Sequence, residues 1–257
     1  MLSRLVEGLS GSRKLVVIGA AALSHHVPMG RRTEDVDIVL SAHVVELHGL
    51  VQPLGFERYR DVPHRYRSRG QDPVFVDILP VDPEVLEEGY LEFEDGRRLN
   101  MIGFDLALDH TDVVSIDSSG TNVAVARLPV IALLKMVSYL DRPGERERDL
   151  EDLHAIFEHA LGPQDDIRWE DKAIASIAFD HQGAYFVGRW LGRIAGPTHL
   201  SEIRRFQQTV LQPGAPWFSR WLAAARFVAA DPERRLLDRC DAFLRGLDEA
   251  RNGDPRS

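Results

Sequence analysis

The sequence of 257 residues predicts an α+β half followed by an all-helical half. Through about residue 120, short β-branched runs alternate with stretches of helical spacing, a pattern typical of a sheet with flanking helices. From residue 127 onward the pattern is helical only, and it begins at Pro129, a residue type favoured in the first helical turn. We therefore expect two domains, residues 1–120 and 121–257, with a boundary near residues 118–128.

The strands predicted for the first half are short runs with apolar or alternating residues. They are LVVI at 15–18, DVDIVL at 35–40, the hairpin-like pair FERYRD and HRYRSR at 56–61 and 64–69, and PVFVDILP at 73–80. One helix is expected from Ala20 to His26, and another over 42–55. The stretch from Leu91 to Asp117 is expected to supply further strands.

The second half contains several helical segments. VIALLKMVSYL follows Pro129, Pro143-Gly144 breaks the chain, and ERERDLEDLHAIFEHALG then predicts an amphipathic helix. Further helices are expected around 169–193, 199–211 and 216–248.

Composition excludes several classes of protein. The 31 Lys and Arg against 40 Asp and Glu give a net charge of −9, which argues against a protein that coats nucleic acid but not against a local basic site. The single cysteine, Cys240, excludes an internal disulfide and a multi-cysteine zinc site, and it fits a reducing, cytosolic compartment. The longest apolar run, residues 15–23, is far shorter than the roughly 20 residues of a membrane span, so no membrane association is expected.

Three aspartates carry the main chemical signal. Asp35 and Asp37 lie two apart on a predicted strand, so both carboxylates project to one face. Such a pair is either a solvated acidic face or a site for a cation, and hard oxygen ligands suit Mg²⁺. Asp77 lies in the otherwise apolar strand VFVDIL, where a carboxylate needs a partner. That partner is either a metal shared with the pair or an arginine.

Gly19 lies directly between a predicted strand and a predicted helix. The N-terminus of a helix presents free backbone N–H groups, which favour a phosphate. The strand–glycine–helix–strand unit therefore predicts a phosphate cradle beside a metal site.

Arginines are concentrated between Leu54 and Gly70. This stretch contains five Arg and two acidic residues, Glu57 and Asp61, so its local net charge is +3. One interpretation is a surface that binds nucleotide or RNA phosphates, with interleaved tyrosines that stack on bases. The other is a pair of ordinary solvated strands whose arginines pair with nearby acids. The candidate acceptor-binding residues are Arg58, Arg60, Arg65 and Arg67.

Several segments of the sequence resemble those of a known family. VVIGAAALSHHVPMGRRTEDVDIVL is similar to the signature of polymerase-beta-type nucleotidyltransferases: an apolar strand, glycine then glycine or serine, a helix, and Asp-x-Asp on the next strand. The segments Gly-Ala-Ala-Ala-Leu, Arg-Thr-Glu-Asp-Val-Asp and LPVIALLKMVSYLDRPGERERDLEDLHAIF resemble, more narrowly, the AbiEii-type toxin nucleotidyltransferases, a family that contains type IV toxin components. The resemblance covers roughly residues 15–160 and implies a nucleotidyltransferase-type mixed sheet.

The resemblance also implies roles for individual residues. Asp35, Asp37 and Asp77 become the catalytic ligands of Mg²⁺, with two ions expected, and Gly19 and Ala20 become the turn that contacts the nucleotide phosphates. Ala20 departs from the family pattern, which has glycine or serine there, so this chain has no serine hydroxyl to bind phosphate at that position.

Two residues of the helical half complete this assignment. By the same resemblance Lys135 contacts the nucleotide phosphates and Asp149 is the acid downstream of it. The alternative for Lys135 is a snorkelling lysine at the edge of an apolar helix, and the alternative for Asp149 is a solvated helix face.

The function implied by the resemblance is Mg²⁺-dependent transfer of NMP from an NTP to a macromolecular acceptor, tRNA, with pyrophosphate as the leaving group. An antitoxin regulator is the expected protein partner. Two alternatives stay open. One is a small-molecule nucleotidyltransferase of the antibiotic-modifying kind, and the other is a non-catalytic binding protein of the same fold, which Ala20 favours and the three aspartates oppose.

Overall fold

A computed structural model describes residues 2–9, 11, 13–28, 33, 35–59, 62–69, 74–93, 96–116, 120–225 and 231–253. These residues form two compact units. The first takes the described residues up to Ile131 apart from 26–28, and the second takes 26–28 and the described residues from Ala132 onward.

The first unit is built on strands that lie at the positions where apolar and β-branched residues concentrate. The strands are β1 (Leu15–Ile18), β2 (Asp35–Ser41), β3 (Phe56–Arg58), β4 (Arg65–Ser68), β5 (Phe75–Val81), β6 (Tyr90–Glu92), β7 (Arg98–Asn100), β8 (Thr111–Ser115) and β9 (Asn122–Ala126). The α-helices of this unit are α1 (Leu2–Leu9), α2 (Gly19–His26), α3 (Leu47–Val51), α4 (Pro83–Glu88) and α5 (Phe104–Asp109).

Seven of these strands form one mixed sheet in the order β3-β4-β5-β2-β1-β9-β8, and β6 and β7 pair separately. β2 is antiparallel to β1 and parallel to β5, and β4 is antiparallel to β5. The C-terminal part of β2 is buried on both faces, as its run Ile38–Leu40 shows. Its N-terminal part is only half-buried, so the acidic end of β2 remains accessible at one edge of the apolar core.

The second unit is helical. Its α-helices are α6 (Leu128–Asp141), which begins in the first unit, α7 (Glu147–His159), α8 (Ile167–Glu170), α9 (Lys172–Ala175), α10 (Gln182–Ile194), α11 (Pro197–Phe206), α12 (Phe218–Ala224) and α13 (Pro232–Asn252). Aromatic rings fill its core: Phe157 stacks on Phe243 with centroids 5.0 Å apart, and Trp221 contacts both Phe157 and Phe206. None of the helices within the described ranges has the length and hydropathy needed to cross a membrane.

The predicted α+β half followed by a helical half is confirmed, and so are the five strands expected before residue 82 and the hairpin pairing of β3 with β4. The helix predicted over 42–55 is instead two 3₁₀ turns around the five-residue α3. Pro53 and the left-handed Gly55 end it, since neither residue type continues an α-helix. The helical segment predicted around 169–193 is divided into α8, α9 and α10, with a break at Asp171, whose side chain caps α9. The segment predicted around 216–248 is two helices, since α12 ends at Ala224 and α13 begins at Pro232.

Candidate active site

The three predicted aspartates lie on neighbouring strands of the main sheet. β2 and β5 run parallel, with Asp35 opposite Phe75 and Asp37 opposite Asp77. Side chains alternate along a strand, so Asp35, Asp37 and Asp77 share one face of the sheet. We call these three residues the aspartate cluster. Asp77 is the most buried of them, with 8 % of the residue exposed, because it lies in the middle of an apolar strand.

Gly19 lies against the cluster at the junction of β1 and α2. Its φ is +66°, in the left-handed region that favours glycine. A Cβ atom built on Gly19 would collide with Oδ2 of Asp37, so the close approach of backbone and carboxylate requires glycine. Ala20 follows it in the first turn of α2 and is half-buried.

An arginine of β4 lies between two carboxylates of the cluster. Arg65 pairs with Asp77 across the antiparallel β4–β5 ladder. Its Nε donates to Oδ1 of Asp77 at 2.7 Å, and its Nη2 donates to Oδ2 of Asp77 at 2.7 Å and to Oδ2 of Asp35 at 2.8 Å. The bidentate bond to Asp77 is the strong, planar form of this interaction. The hydrogen bonds to Asp77, together with the negative charges of the aspartate cluster, raise the pKa of Arg65, so it stays positively charged.

The donor chemistry of the aspartate cluster fits a divalent cation, because hard carboxylate oxygens are the ligands that Mg²⁺ prefers. The guanidinium of Arg65 occupies the position between Asp35 and Asp77 as a cation would. Within the described part of the chain, no set of three or more His, Cys, Asp or Glu side chains lies in a geometry that could hold a metal ion. In this conformation the carboxylates of Asp35 and Asp77 bind Arg65.

Lys135 of α6 belongs to a separate cluster in the second unit. Its Nζ lies 2.7 Å from Oδ1 of Asp149 and 2.8 Å from Oδ2 of Asp152. The two aspartates are three residues apart on α7, so they project from the same helix face. Only 3 % of Asp149 and 1 % of Asp152 is exposed, which excludes the alternative of a solvated helix face for Asp149.

This buried cluster contains one positive side chain, Lys135, and two acidic ones, Asp149 and Asp152. Burial disfavours the charged form of Lys135, but the two carboxylates outweigh it and raise the pKa of the lysine. Oδ2 of Asp149 is buried and accepts no hydrogen bond. The cluster thus has a fixed ammonium, two carboxylates and one unused acceptor oxygen.

The candidate acceptor-binding arginines do not form one surface. Arg58 pairs in register with Tyr66, and both line a pocket of about 140 Å³ on the face opposite Arg65 and Arg67. Arg67 is exposed and bonds Glu57 at 3.2 Å, and Arg69 bonds the same carboxylate at 2.9 Å. Arg60 lies outside the described residues. The pairing of hairpin arginines with nearby acids, one of the two interpretations of the sequence, is therefore present.

The family follows from a comparison that covers nearly the whole chain. The family model of the nucleotidyl transferase AbiEii toxin, of type IV toxin–antitoxin systems, matches residues 2–245. The chain belongs to this family. The AbiEii match extends well past the motifs that end near residue 160, and it makes the protein a nucleotidyltransferase of a toxin–antitoxin family.

Solved structures similar to this AbiEii-family chain are distant in sequence. An antigenic nucleotidyltransferase-like protein from Paracoccidioides brasiliensis is 16% identical, with a TM-score of 0.44 over 79% of this chain and 88% of that one. JHP933 from Helicobacter pylori is 15% identical, with a TM-score of 0.42 over 98% of this chain and 91% of that one. No match is found among curated proteins.

Two interactions of these clusters do not follow from the sequence pattern. The alternation of β4 gives Arg65 and Arg67 the same face, but only the register of β4 against β5 places Arg65 opposite Asp77. The position of Asp152 can be predicted in part, since its spacing of three from Asp149 puts both residues on one helix face. Its burial, however, depends on Lys135, 17 positions earlier in the chain.

Proposed function

We propose that this AbiEii-family nucleotidyltransferase uses a divalent cation, Mg²⁺, to transfer NMP from an NTP to tRNA. The observation that carries the proposal is the aspartate cluster with Gly19 packed directly on Asp37. A phosphate-binding helix start beside carboxylates is what in-line nucleotidyl transfer needs, because positioning and charge neutralisation supply most of the catalysis.

Each part of the proposed site has its own task. The backbone N–H groups at the start of α2 have no partner within the helix, and they bind phosphate oxygens of the NTP. Asp35, Asp37 and Asp77 hold the divalent cation, which when bound neutralises charge on the triphosphate and activates the acceptor oxygen. The nucleotide contact of Lys135 and Asp149 rests on the resemblance alone and stays a prediction, and in the second unit the ammonium of Lys135 is held by Asp149 and Asp152.

The acceptor surface that best fits the geometry is Arg67 with Arg69. Both side chains are more than half exposed, and the two guanidiniums share the single carboxylate of Glu57, so a positive charge remains. Arg67 lies one strand away from Asp77, since β4 pairs with β5, and Arg69 directly follows the end of β4. Phosphates of an RNA acceptor require such charges, whereas a small-molecule acceptor does not.

The test is to incubate the purified protein with Mg²⁺, total RNA and each of the four labelled NTPs. We expect label in tRNA with a preferred NTP, and no label with Asp35→Ala. This variant is expected to fold, because Arg65 keeps both hydrogen bonds to Asp77. Equal melting temperatures of the variant and the wild type would show that the loss is chemical.

The outcomes separate the proposed acceptor from the alternatives. Label in tRNA that persists in Asp35→Ala would exclude the aspartate cluster as the site. Release of pyrophosphate with an aminoglycoside but not with RNA would replace tRNA by a small-molecule acceptor. Absence of NTP binding in wild-type protein would favour a non-catalytic binding protein.

A further inference from the structure

Arg65 has a different environment from the other arginines of the β3–β4 hairpin. Arg67 and Arg69 are exposed and bond a surface glutamate, whereas Arg65 bonds Asp77 through two nitrogens and Asp35 through one of them. With the ring of Phe75, 5.9 Å from its guanidinium carbon, the two carboxylates define its position. Arg65 therefore faces the reacting groups and is not part of the acceptor surface.

We infer that Arg65 is the resident counter-ion of the aspartate cluster, and that a divalent cation binds Asp35 and Asp77 only by displacing it. This inference rests on the proposed function, because it assumes that the cluster is the metal site. Arg65 then has a role that differs from RNA binding: it sets the affinity for the metal and neutralises part of the charge of the metal-free cluster.

The charges explain why exchange is required. The aspartate cluster carries three negative charges, and Arg65 neutralises one of them. Both oxygens of Asp77 and one of Asp35 already accept hydrogen bonds from Arg65. The guanidinium lies between Asp35 and Asp77, where a cation bound to both would lie, and a guanidinium left beside that cation would repel it.

The geometry also explains how exchange is possible. The backbone of Arg65 is fixed by its pairing with Asp77, but 31 % of the side chain is exposed. A long arginine side chain with a partly exposed head rotates towards water without movement of the strand. The exchange therefore needs one change of side-chain rotamers and no opening of the sheet.

The test measures binding of Mn²⁺ alone to the full-length protein by calorimetry and by the EPR signal of free Mn²⁺. We expect Arg65→Gln to bind Mn²⁺ about tenfold more tightly than wild type, the effect of removing one nearby positive charge at a partly exposed site. Arg98→Gln is the matched control, because Arg98 also bonds a carboxylate on the next strand, that of Glu92, but outside the main sheet. It should leave Mn²⁺ affinity unchanged.

A second variant keeps the test decisive if Arg65→Gln folds poorly. Arg65→Lys retains the charge but loses the bidentate geometry, so we expect an intermediate Mn²⁺ affinity. A thermal measurement gives an independent result: Mn²⁺ should raise the melting temperature of the Arg65 variants more than that of wild type, because tighter binding to the folded state stabilises it more.

The possible results distinguish this inference from the proposed function. Equal or weaker Mn²⁺ affinity in both Arg65 variants, with metal bound by wild type and lost in Asp35→Asn, overturns the role of Arg65 and leaves the metal site intact. Mn²⁺ binding that survives Asp35→Asn in the Arg65→Gln background places the metal elsewhere and overturns the inference. No Mn²⁺ binding by any variant overturns both the metal site and the role of Arg65.

Discussion

At the scale of single residues, Gly19 links the backbone to the chemistry of the site. Gly19→Ala adds a Cβ that collides with Oδ2 of Asp37 at a left-handed φ. We expect a loss of about 1–3 kcal/mol in the free energy of unfolding and loss of nucleotidyl transfer. Gly49→Ala is the control, because a Cβ there meets no atom within 4 Å and the residue lies in the helix α3. Urea unfolding that shows the same midpoint for both variants would refute the strain argument.

Lys135 permits a second prediction at this scale. Lys135→Met leaves Asp149 and Asp152 facing each other in a buried environment, so we expect a loss of about 3–5 kcal/mol in unfolding free energy. The triple variant Lys135→Met, Asp149→Asn, Asp152→Asn removes all three charges and should recover most of this loss. Binding of labelled NTP to the triple variant then separates function from stability. Wild-type NTP affinity in the triple variant would remove Lys135 from the nucleotide site.

At the scale of elements, α7 connects the Lys135 cluster to a second buried interaction. His154 on α7 accepts a hydrogen bond from Nη1 of Arg239 at 3.2 Å, and only 12 % of its side chain is exposed. Burial, together with the charge of Arg239, lowers the pKa of His154 to about 3. The ring is therefore neutral in the folded protein under conditions where the unfolded chain binds a proton.

The sign of the pH dependence follows from this difference. Below pH 6.5 the unfolded state binds the proton and the folded state does not, so acidification destabilises the fold until the pH reaches about 3. His154→Gln removes this titration. We expect the loss of unfolding free energy between pH 7 and 5 to be about 2 kcal/mol smaller in the variant than in wild type. Parallel stability curves of the two proteins over that range would contradict the prediction.

The β3–β4 hairpin is the element on which the acceptor prediction depends. We expect Arg67→Glu combined with Arg69→Glu to weaken tRNA binding and to reduce the slope of log affinity against log salt by about 0.7–0.9 for each phosphate that the variant no longer neutralises. NTP binding should be retained, because neither arginine bonds the aspartate cluster. Arg97→Glu with Arg98→Glu changes charge equally on another hairpin and serves as the control. An equal effect of both double variants would indicate a response to net charge alone.

Elements with strong local signals can be predicted from the sequence, and interactions between elements cannot. β1, β2 and β5 carry runs of apolar or alternating residues, and α6 has a proline at its second position, so each is predictable from its own residues. The short α4 and α5 are not, since six residues give too little periodicity. The shared face of Asp35 and Asp37 follows from their spacing alone. The bond between Arg65 and Asp77 depends on the pairing of two strands that are separated along the chain, and no local pattern specifies that register.

At the scale of the whole molecule, an acidic chain can bind RNA only through a local concentration of basic side chains. The chain has a net charge of −9, so at long range it repels RNA, and an RNA acceptor must be held by local interactions. The described arginines of the hairpin satisfy part of this need, yet one of them, Arg65, is committed to the aspartate cluster. The described arginines are thus divided between an exposed pair, Arg67 and Arg69, and one that bonds the aspartate cluster.

Because the chain belongs to a toxin family, the effect of its proposed nucleotidyl transfer on growth can be measured in cells. We expect induced expression of the wild-type chain to arrest growth of a bacterial host, and Asp35→Ala to abolish the arrest at equal protein levels, because the proposed transfer depends on the aspartate cluster. Arg67→Glu with Arg69→Glu should weaken the arrest, since that variant retains NTP binding but binds the acceptor less tightly. Arrest by Asp35→Ala equal to that of wild type would show that toxicity comes from binding and not from nucleotidyl transfer. Labelled tRNA recovered from arrested wild-type cells, and absent from Asp35→Ala cells, would connect the growth effect to the chemistry of the site.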